Sequence, residues 1–293
     1  GATVNATSIT SFTATSGTSN AGTANLTASN SGSTINMSSS ASGAYTITGG
    51  AGTDIITGGG ANDTIVIAIS AEGNSDTVNG GAGSDTLQLS SGVHTLTTDN
   101  KLLNVETVKT HADGSTVDLT NQTESFNITV GAGTDSLKGG GAADTINILN
   151  AGEGNSDTID GGAGSDIIQL STGSHALTTD NKLLNVETIL AHASGSSIDL
   201  TNQAEAFTIT GGAAVDTLKG GSGADIITGN GGNDIITGGA GNDSLTGNAG
   251  DDTFNVDSGT DSIADLGTGN DIFVVSSGAI LNAADISSFA ATS

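Results

Sequence analysis

Short alternations of apolar and polar residues recur along the whole chain, each closed by a run of Gly, Asn, Asp, Ser or Thr. Between Gly220 and Asp252 the beat is strict, with Asp225, Asp234, Asp243 and Asp252 nine residues apart. Each block is a six-residue glycine-rich turn ending in Asp, followed by three residues with an apolar one in the middle. The triplet reads as a short strand. In Asp225-Ile226-Ile227-Thr228 the residue two after Asp points inward and its neighbour outward. Turn, strand, turn, strand closes one coil every eighteen residues, so every second turn falls on the same edge. The expected fold is all-β: a parallel β-roll or β-solenoid.

A longer period lies over the short one. Asp54, Asp135 and Asp216 are 81 residues apart, and the same step carries Asp63 to Asp144 to Asp225. It also relates Asp76 to Asp157, Asp85 to Asp166, His94 to His175 and Lys101 to Lys182. Internal repeats of this kind mean an array rather than a globule with one active site. The chain divides into Thr/Ser-rich N-terminal rungs (1–48), copy one (49–129), copy two (130–210), contiguous nonads (211–275) and a C-terminal cap (276–293). In copy one the turns end at Asp54, Asp63, Asp76 and Asp85. The step from Asp63 to Asp76 is thirteen residues, with a longer strand over 64–70 and a turn in which Asn74 stands where Gly is usual. Asn tolerates left-handed backbone better than other non-glycine residues. About 45 residues without the nonad follow, and their alternation predicts strands over 87–89, 94–97, 103–108, 116–119 and 126–129. Residues 99–103 are read as a short helical turn.

The glycines let the backbone turn tightly and leave carbonyls free to point at a cation. The Asp adds a carboxylate. A hard cation such as Ca²⁺ takes six to eight oxygens, so two stacked turns must share an ion.

Composition agrees with a metal-loaded coil. The 293 residues include 46 Gly and no Pro, Cys or Trp, and aromatics make up 2%, so a core of large side chains is excluded. A thin core of Ile, Leu and Val remains open, because each coil buries its face on the next. The net charge of −26, with five Lys and no Arg, argues against nucleic-acid binding. Without cation the stacked carboxylates repel and the chain is expected to be disordered. With it, binding free energy becomes folding free energy. No apolar run approaches a membrane span, so no membrane insertion is expected. The chain opens at Gly1 without a charged-then-apolar leader and is expected to be a fragment or a processed product.

The pattern G-G-x-G-x-D-x-U-x resembles the RTX family of secreted calcium-binding proteins. The resemblance implies a right-handed parallel β-roll with Ca²⁺ between same-edge turns, interrupted here by rungs that bind no metal. It also implies type I secretion with an uncleaved C-terminal signal, of which the cap is a candidate part, and folding in external calcium. In the family, the first turn of a pair gives carbonyls from motif positions one and three plus its Asp. The second gives positions two and four plus its Asp. Carried over, Gly220, Ser222 and Asp225 share an ion with Gly239, Gly241 and Asp243. Gly229, Gly231 and Asp234 share one with Asn248, Gly250 and Asp252, and Gly211, Ala213 and Asp216 with Asn230, Gly232 and Asp234. In copy one, Gly49, Ala51 and Asp54 pair with Glu72, Asn74 and Asp76, and Gly58, Gly60 and Asp63 with Gly81, Gly83 and Asp85. In copy two, Val130, Ala132 and Asp135 pair with Glu153, Asn155 and Asp157, and Gly139, Gly141 and Asp144 with Gly162, Gly164 and Asp166. Gly238 and Ala240, with Asp261 and Asp271 of two degenerate turns, complete the candidate ligands. The total is roughly six to nine ions per chain.

A further resemblance, carried by the Thr/Ser/Ala/Gly-rich style and the recurring Leu-Asn-Val-Glu-Thr element (103–107 and 184–188), is to RTX-type bacterial surface-layer proteins. It implies a structural, extracellular protein on the bacterial cell surface that self-assembles in calcium, with outer-membrane polysaccharide as a partner for parts outside this chain. The competing readings are an adhesin's extender and the export module of a secreted enzyme. No His-Glu-x-x-His, Gly-x-Ser-x-Gly or Cys nucleophile is present, so no catalytic residue is assigned. His94, His175, His111 and His192 read as rung-packing or solvated, with zinc as the rival role. Glu106 and Glu187 read as solvent-facing strand positions, with a lattice contact as the alternative. The lysines are expected to pair weakly with nearby carboxylates.

Overall fold

The computed structural model describes residues 3–69, 75–151 and 156–283. Its strands are short and parallel, and the helix among the described residues is confined to two 3-10 turns, Asp99–Lys101 and Asp180–Lys182. The protein is a parallel β-solenoid. It forms two compact units, Gly1–Asn147 with Ile159–Asp166, and Ile148–Thr158 with Ile167–Ser293.

In the first unit one face stacks strands Thr3–Ile9, Thr23–Ala28, Tyr45–Gly49, Thr64–Ile67, Thr86–Leu89, Thr107–Lys109 and Asn127–Val130 in parallel. The opposite face stacks Ser11–Thr13, Thr34–Asn36, Ile55–Thr57, Thr77–Asn79 and Leu102–Leu103. A separate ladder joins Gly92–Thr95, Ser115–Asp118 and Ser136–Lys138. Register places Ile47, Ile65, Leu87, Val108 and Ile128 in one inward column, each with no exposed surface. This is the thin core expected of a chain with few aromatics: one branched aliphatic per rung, worth about 1.5–3 kcal/mol each when buried.

The second unit repeats the plan. Strands Ile167–Leu170, Thr188–Leu190, Thr208–Thr210, Ile226–Gly231, Ser244–Ala249 and Ser258–Asp265 align Ile168, Ile189, Ile209, Ile227, Leu245 and Ile263. Its other ladder runs Gly173–Ala176, Ser196–Asp199, Thr217–Lys219, Ile235–Thr237, Thr253–Val256 and Ile272–Val275. The inward column there is His175, Ile198, Leu218, Ile236, Phe254 and Phe273, and the two Phe rings stack with centroids 5.7 Å apart.

Three features differ from the sequence reading. The alternating run 103–108 is not one strand: Asn104 takes a left-handed φ of 50°, and the chain turns between Leu102–Leu103 and Thr107–Lys109. Among the described residues the run after Asp63 is a strand only over Thr64–Ile67, and Ser70 lies outside them. The C-terminal stretch includes a further rung, Ile280–Ala283, parallel to Ser258–Asp265. The expected helical turn is present as Asp99–Lys101, directly followed by strand Leu102–Leu103.

Candidate metal centres

Every motif aspartate from Asp54 to Asp261 is buried, with no more than 3% of its surface exposed. A buried carboxylate is costly unless its oxygens are satisfied. One oxygen is satisfied by the coil before. The Asp54 amide donates to Asp76 Oδ1 at 2.9 Å, that of Asp63 to Asp85 Oδ1 at 2.6 Å, and that of Asp144 to Asp166 Oδ1 at 2.7 Å. In the contiguous nonads the amides of Asp216, Asp225 and Asp234 donate to Oδ1 of Asp234, Asp243 and Asp252, all at 2.8 Å. Asp243 and Asp252 continue the two columns to Asp261 (3.0 Å) and Asp271 (2.9 Å), so the degenerate turns keep their place in the stack. Five of these bonds start from a residue without a carboxylate: the amides of Tyr45, Ser115, Phe126, Ser196 and Phe207 donate to Asp63, Asp135, Asp144, Asp216 and Asp225.

The second oxygen faces its own turn. Amides of Gly50, Gly59, Gly140, Gly212 and Gly221 donate to Oδ2 of the Asp four residues on. Oδ2 of Asp85, Asp234, Asp243, Asp252 and Asp261 is buried and accepts no hydrogen bond. Beside Oδ2, orphaned or amide-bonded, lies a cradle lined by glycine: a Cβ on Gly229 would meet the orphaned Asp234 Oδ2 and the Gly247 carbonyl oxygen. A Cβ on Gly58 would collide with the Gly80 carbonyl oxygen and sit 2.6 Å from Asp63 Oδ2. A Cβ on Gly220 would meet the Gly238 carbonyl oxygen and Asp225 Oδ2, and one on Gly139 the Gly161 carbonyl oxygen and Asp144 Oδ2. At motif position two, Asn230 and Asn248 adopt φ of 74° and 68° where Gly239 has 102°, the left-handed backbone that Asn accepts.

The electrostatics are those of a site lacking positive charge. Burial pushes the Asp85, Asp234 and Asp243 carboxyls up to about 6, and neighbouring carboxylates of the same column add to the rise. Burial also raises Asp63, Asp144, Asp225, Asp252 and Asp261. Orphaned carboxylate oxygens facing carbonyls across a space without side chains suit a hard, oxygen-seeking dication. Among the described residues no three His, Cys, Asp or Glu side chains cluster as a metal site. A pair of turns offers two carboxylates, and its remaining oxygens are backbone carbonyls.

The structure thus stacks Asp54 with Asp76, Asp63 with Asp85, Asp144 with Asp166, Asp216 with Asp234, Asp225 with Asp243 and Asp234 with Asp252. Glu72, Asn74, Glu153 and Asn155 lie outside the described residues. Asp135 and Asp157 are each buried. Sequence reading missed Glu106. It is exposed, yet its Oε2 accepts the Asp85 amide at 2.7 Å, the bond a motif Asp makes elsewhere. His94 and His175 are fully buried at inward positions, where burial lowers their pKa, and each Nε2 lies 2.9 Å from a carbonyl oxygen, of Ser90 and Ser171. His111 Nδ1 instead lies 3.6 Å from exposed Asp113. Lys101 and Lys182 donate to the carbonyls of Ser75 and Ser156.

Fold and site together define a calcium-binding β-solenoid. The family model for the RTX calcium-binding nonapeptide repeat (4 copies) matches residues 43–66, 69–92, 127–147, 147–174, 210–245 and 228–263, just over half of the chain. The chain belongs to this family. No curated protein matches it. Proteins built from these repeats are typically secreted, and among the described residues no helix is long and apolar enough to cross a membrane.

Proposed function

We propose that this is a structural, non-enzymatic extracellular protein that folds in calcium after type I secretion and then assembles with copies of itself on a bacterial cell surface. The observation that carries the reading is a repetitive acidic coil with apolar side chains on an outer face. In the second unit Ile235, Ile272 and Val274 share the outer face of one ladder, and each is more than 40% exposed. Exposed large apolar side chains on one face of an acidic protein, here with Thr253 between Ile235 and Ile272, favour an interaction face. Calcium supplies the rigidity that lets such faces register with one another, and the remaining negative charge keeps the calcium-free chain dispersed.

The test is negative-stain electron microscopy of the purified chain with and without about 5 mM CaCl₂, a concentration above extracellular-type affinities. Ordered sheets that vanish with chelator are expected. Dispersed rods in calcium would remove the self-assembly reading and favour an adhesin's extender or an enzyme's export module.

A further inference from the structure

The loop between Leu102–Leu103 and Thr107–Lys109 has no nonapeptide, yet it occupies the place of a glycine turn above Asp85. Register aligns Leu103 with Asn79, which sets Asn104 over Gly80. Two oxygens of this loop then meet the Asp85 turn as a motif turn would. Glu106 Oε2 accepts the Asp85 amide at 2.7 Å, as Asp85 Oδ1 accepts the Asp63 amide at 2.6 Å. The Asn104 carbonyl oxygen and Asp85 Oδ2 both crowd the space where a Gly80 Cβ would stand, the latter at 2.5 Å. Around Gly58 the same two positions are held by the Gly80 carbonyl oxygen and by Asp63 Oδ2 at 2.6 Å. Asp85 has no exposed surface, and its Oδ2 accepts no hydrogen bond.

We infer that Asp85, Glu106 and the Asn104 carbonyl hold a divalent cation of their own, a calcium site made by one glycine turn and one non-repeat loop. The loop is shorter than the six-residue turn it replaces, and glutamate's extra methylene spans the gap that results. The left-handed backbone of Asn104 (φ 50°) makes the reversal that glycines make elsewhere. A dication shared by a buried and an exposed carboxylate keeps water on its open side, which calcium's flexible coordination accepts. The site extends the Asp63–Asp85 column by one position, so the calcium stack runs past the last nonapeptide of copy one.

This inference rests on calcium loading of the turns and not on surface assembly. The test is calcium bound per full-length chain, read by equilibrium dialysis and elemental analysis at millimolar free calcium, for wild type, Glu106→Gln and Glu106→Ala. Glutamine still accepts the Asp85 amide but carries no charge. Both variants are therefore expected to lose one ion, or to show one site weakened at least tenfold, while keeping the wild-type far-UV spectrum in calcium. An unchanged count with unchanged affinity, or a loss in Glu106→Ala that Glu106→Gln fully restores, would overturn it. Wild-type chain that bound no calcium would instead sink the family-level reading. Should neither variant fold, anomalous scattering from calcium in wild-type crystals decides: no ion within ligand distance of both Asp85 Oδ2 and Glu106 rules the site out.

Discussion

At the scale of single residues the aspartate does two jobs with two oxygens. Oδ1 closes a backbone bond to the coil before, and at Asp85, Asp234, Asp243, Asp252 and Asp261 Oδ2 takes no hydrogen bond and is left for the cation, so Asp→Asn there keeps the first and cripples the second. The glycine beside it is held by geometry rather than by flexibility alone. Gly220→Ala would put a methyl against Asp225 Oδ2 and the Gly238 carbonyl; isothermal titration is expected to show one calcium fewer, with the adjoining sites of the same column weakened. The carboxyl pKa values set a pH dependence whose sign differs with and without metal. Without calcium, a folded-state carboxyl pKa raised from 3.8 to about 6, as at Asp85, Asp234 and Asp243, favours the fold below about pH 4 and ceases to do so as pH rises through 6. Calcium needs these groups ionised, so its affinity falls as pH drops through the same window. Calcium bound per folded chain at a fixed sub-saturating free concentration, read by equilibrium dialysis, is expected to be lower at pH 5 than at pH 7.5. An equal or higher occupancy at pH 5 would contradict the assignment of these carboxylates as ligands.

At the scale of the rung, stability is a matter of one inward side chain. Ile227 sits between Ile209 and Leu245 with no exposed surface. Ile227→Ala is expected to cost about 2–5 kcal/mol in calcium by denaturant titration, since neighbouring rungs cannot close on the space. Ile226, one residue earlier and outward, is 53% exposed, and its replacement by Thr should change stability little. Much of this was legible from sequence because its determinants are local. A Gly-x-Asp turn and an alternating triplet fix direction, face and coil length without long-range information. The rung at 103–108 was not, for a physical reason. Leu-Asn-Val-Glu alternates before Thr-Val continues the run, and period two cannot reveal that Asn104 reverses the chain. The available signals were Asn's tolerance of left-handed backbone and the position of Glu106, 21 residues after Asp85, close to the 22 between Asp63 and Asp85. The histidines were legible in part: rung packing and solvation were both open, and ladder register, which makes His94 and Val117 neighbours, decides for packing at His94.

At the scale of the whole molecule, each unit is a stack of near-identical layers whose energetics are nearest-neighbour terms. Removing calcium withdraws the charge balance of every layer at once. Chelation is therefore expected to abolish the β signal in far-UV circular dichroism at neutral pH, and added calcium to restore it. A chain that kept its spectrum in chelator would show that the aliphatic columns suffice.

The aspartate whose carboxylate accepts an amide from one coil and whose own backbone amide donates to the carboxylate of another has a further consequence. Asp234 is bonded to Asp216 on one side and to Asp252 on the other, so no site in the column can be filled or emptied without altering the next. The array behaves as a zipper rather than a row of independent cups. Its response to external calcium should be a threshold, sharper for a long run of turns than for a short one, turning a modest concentration step into a decision between two states.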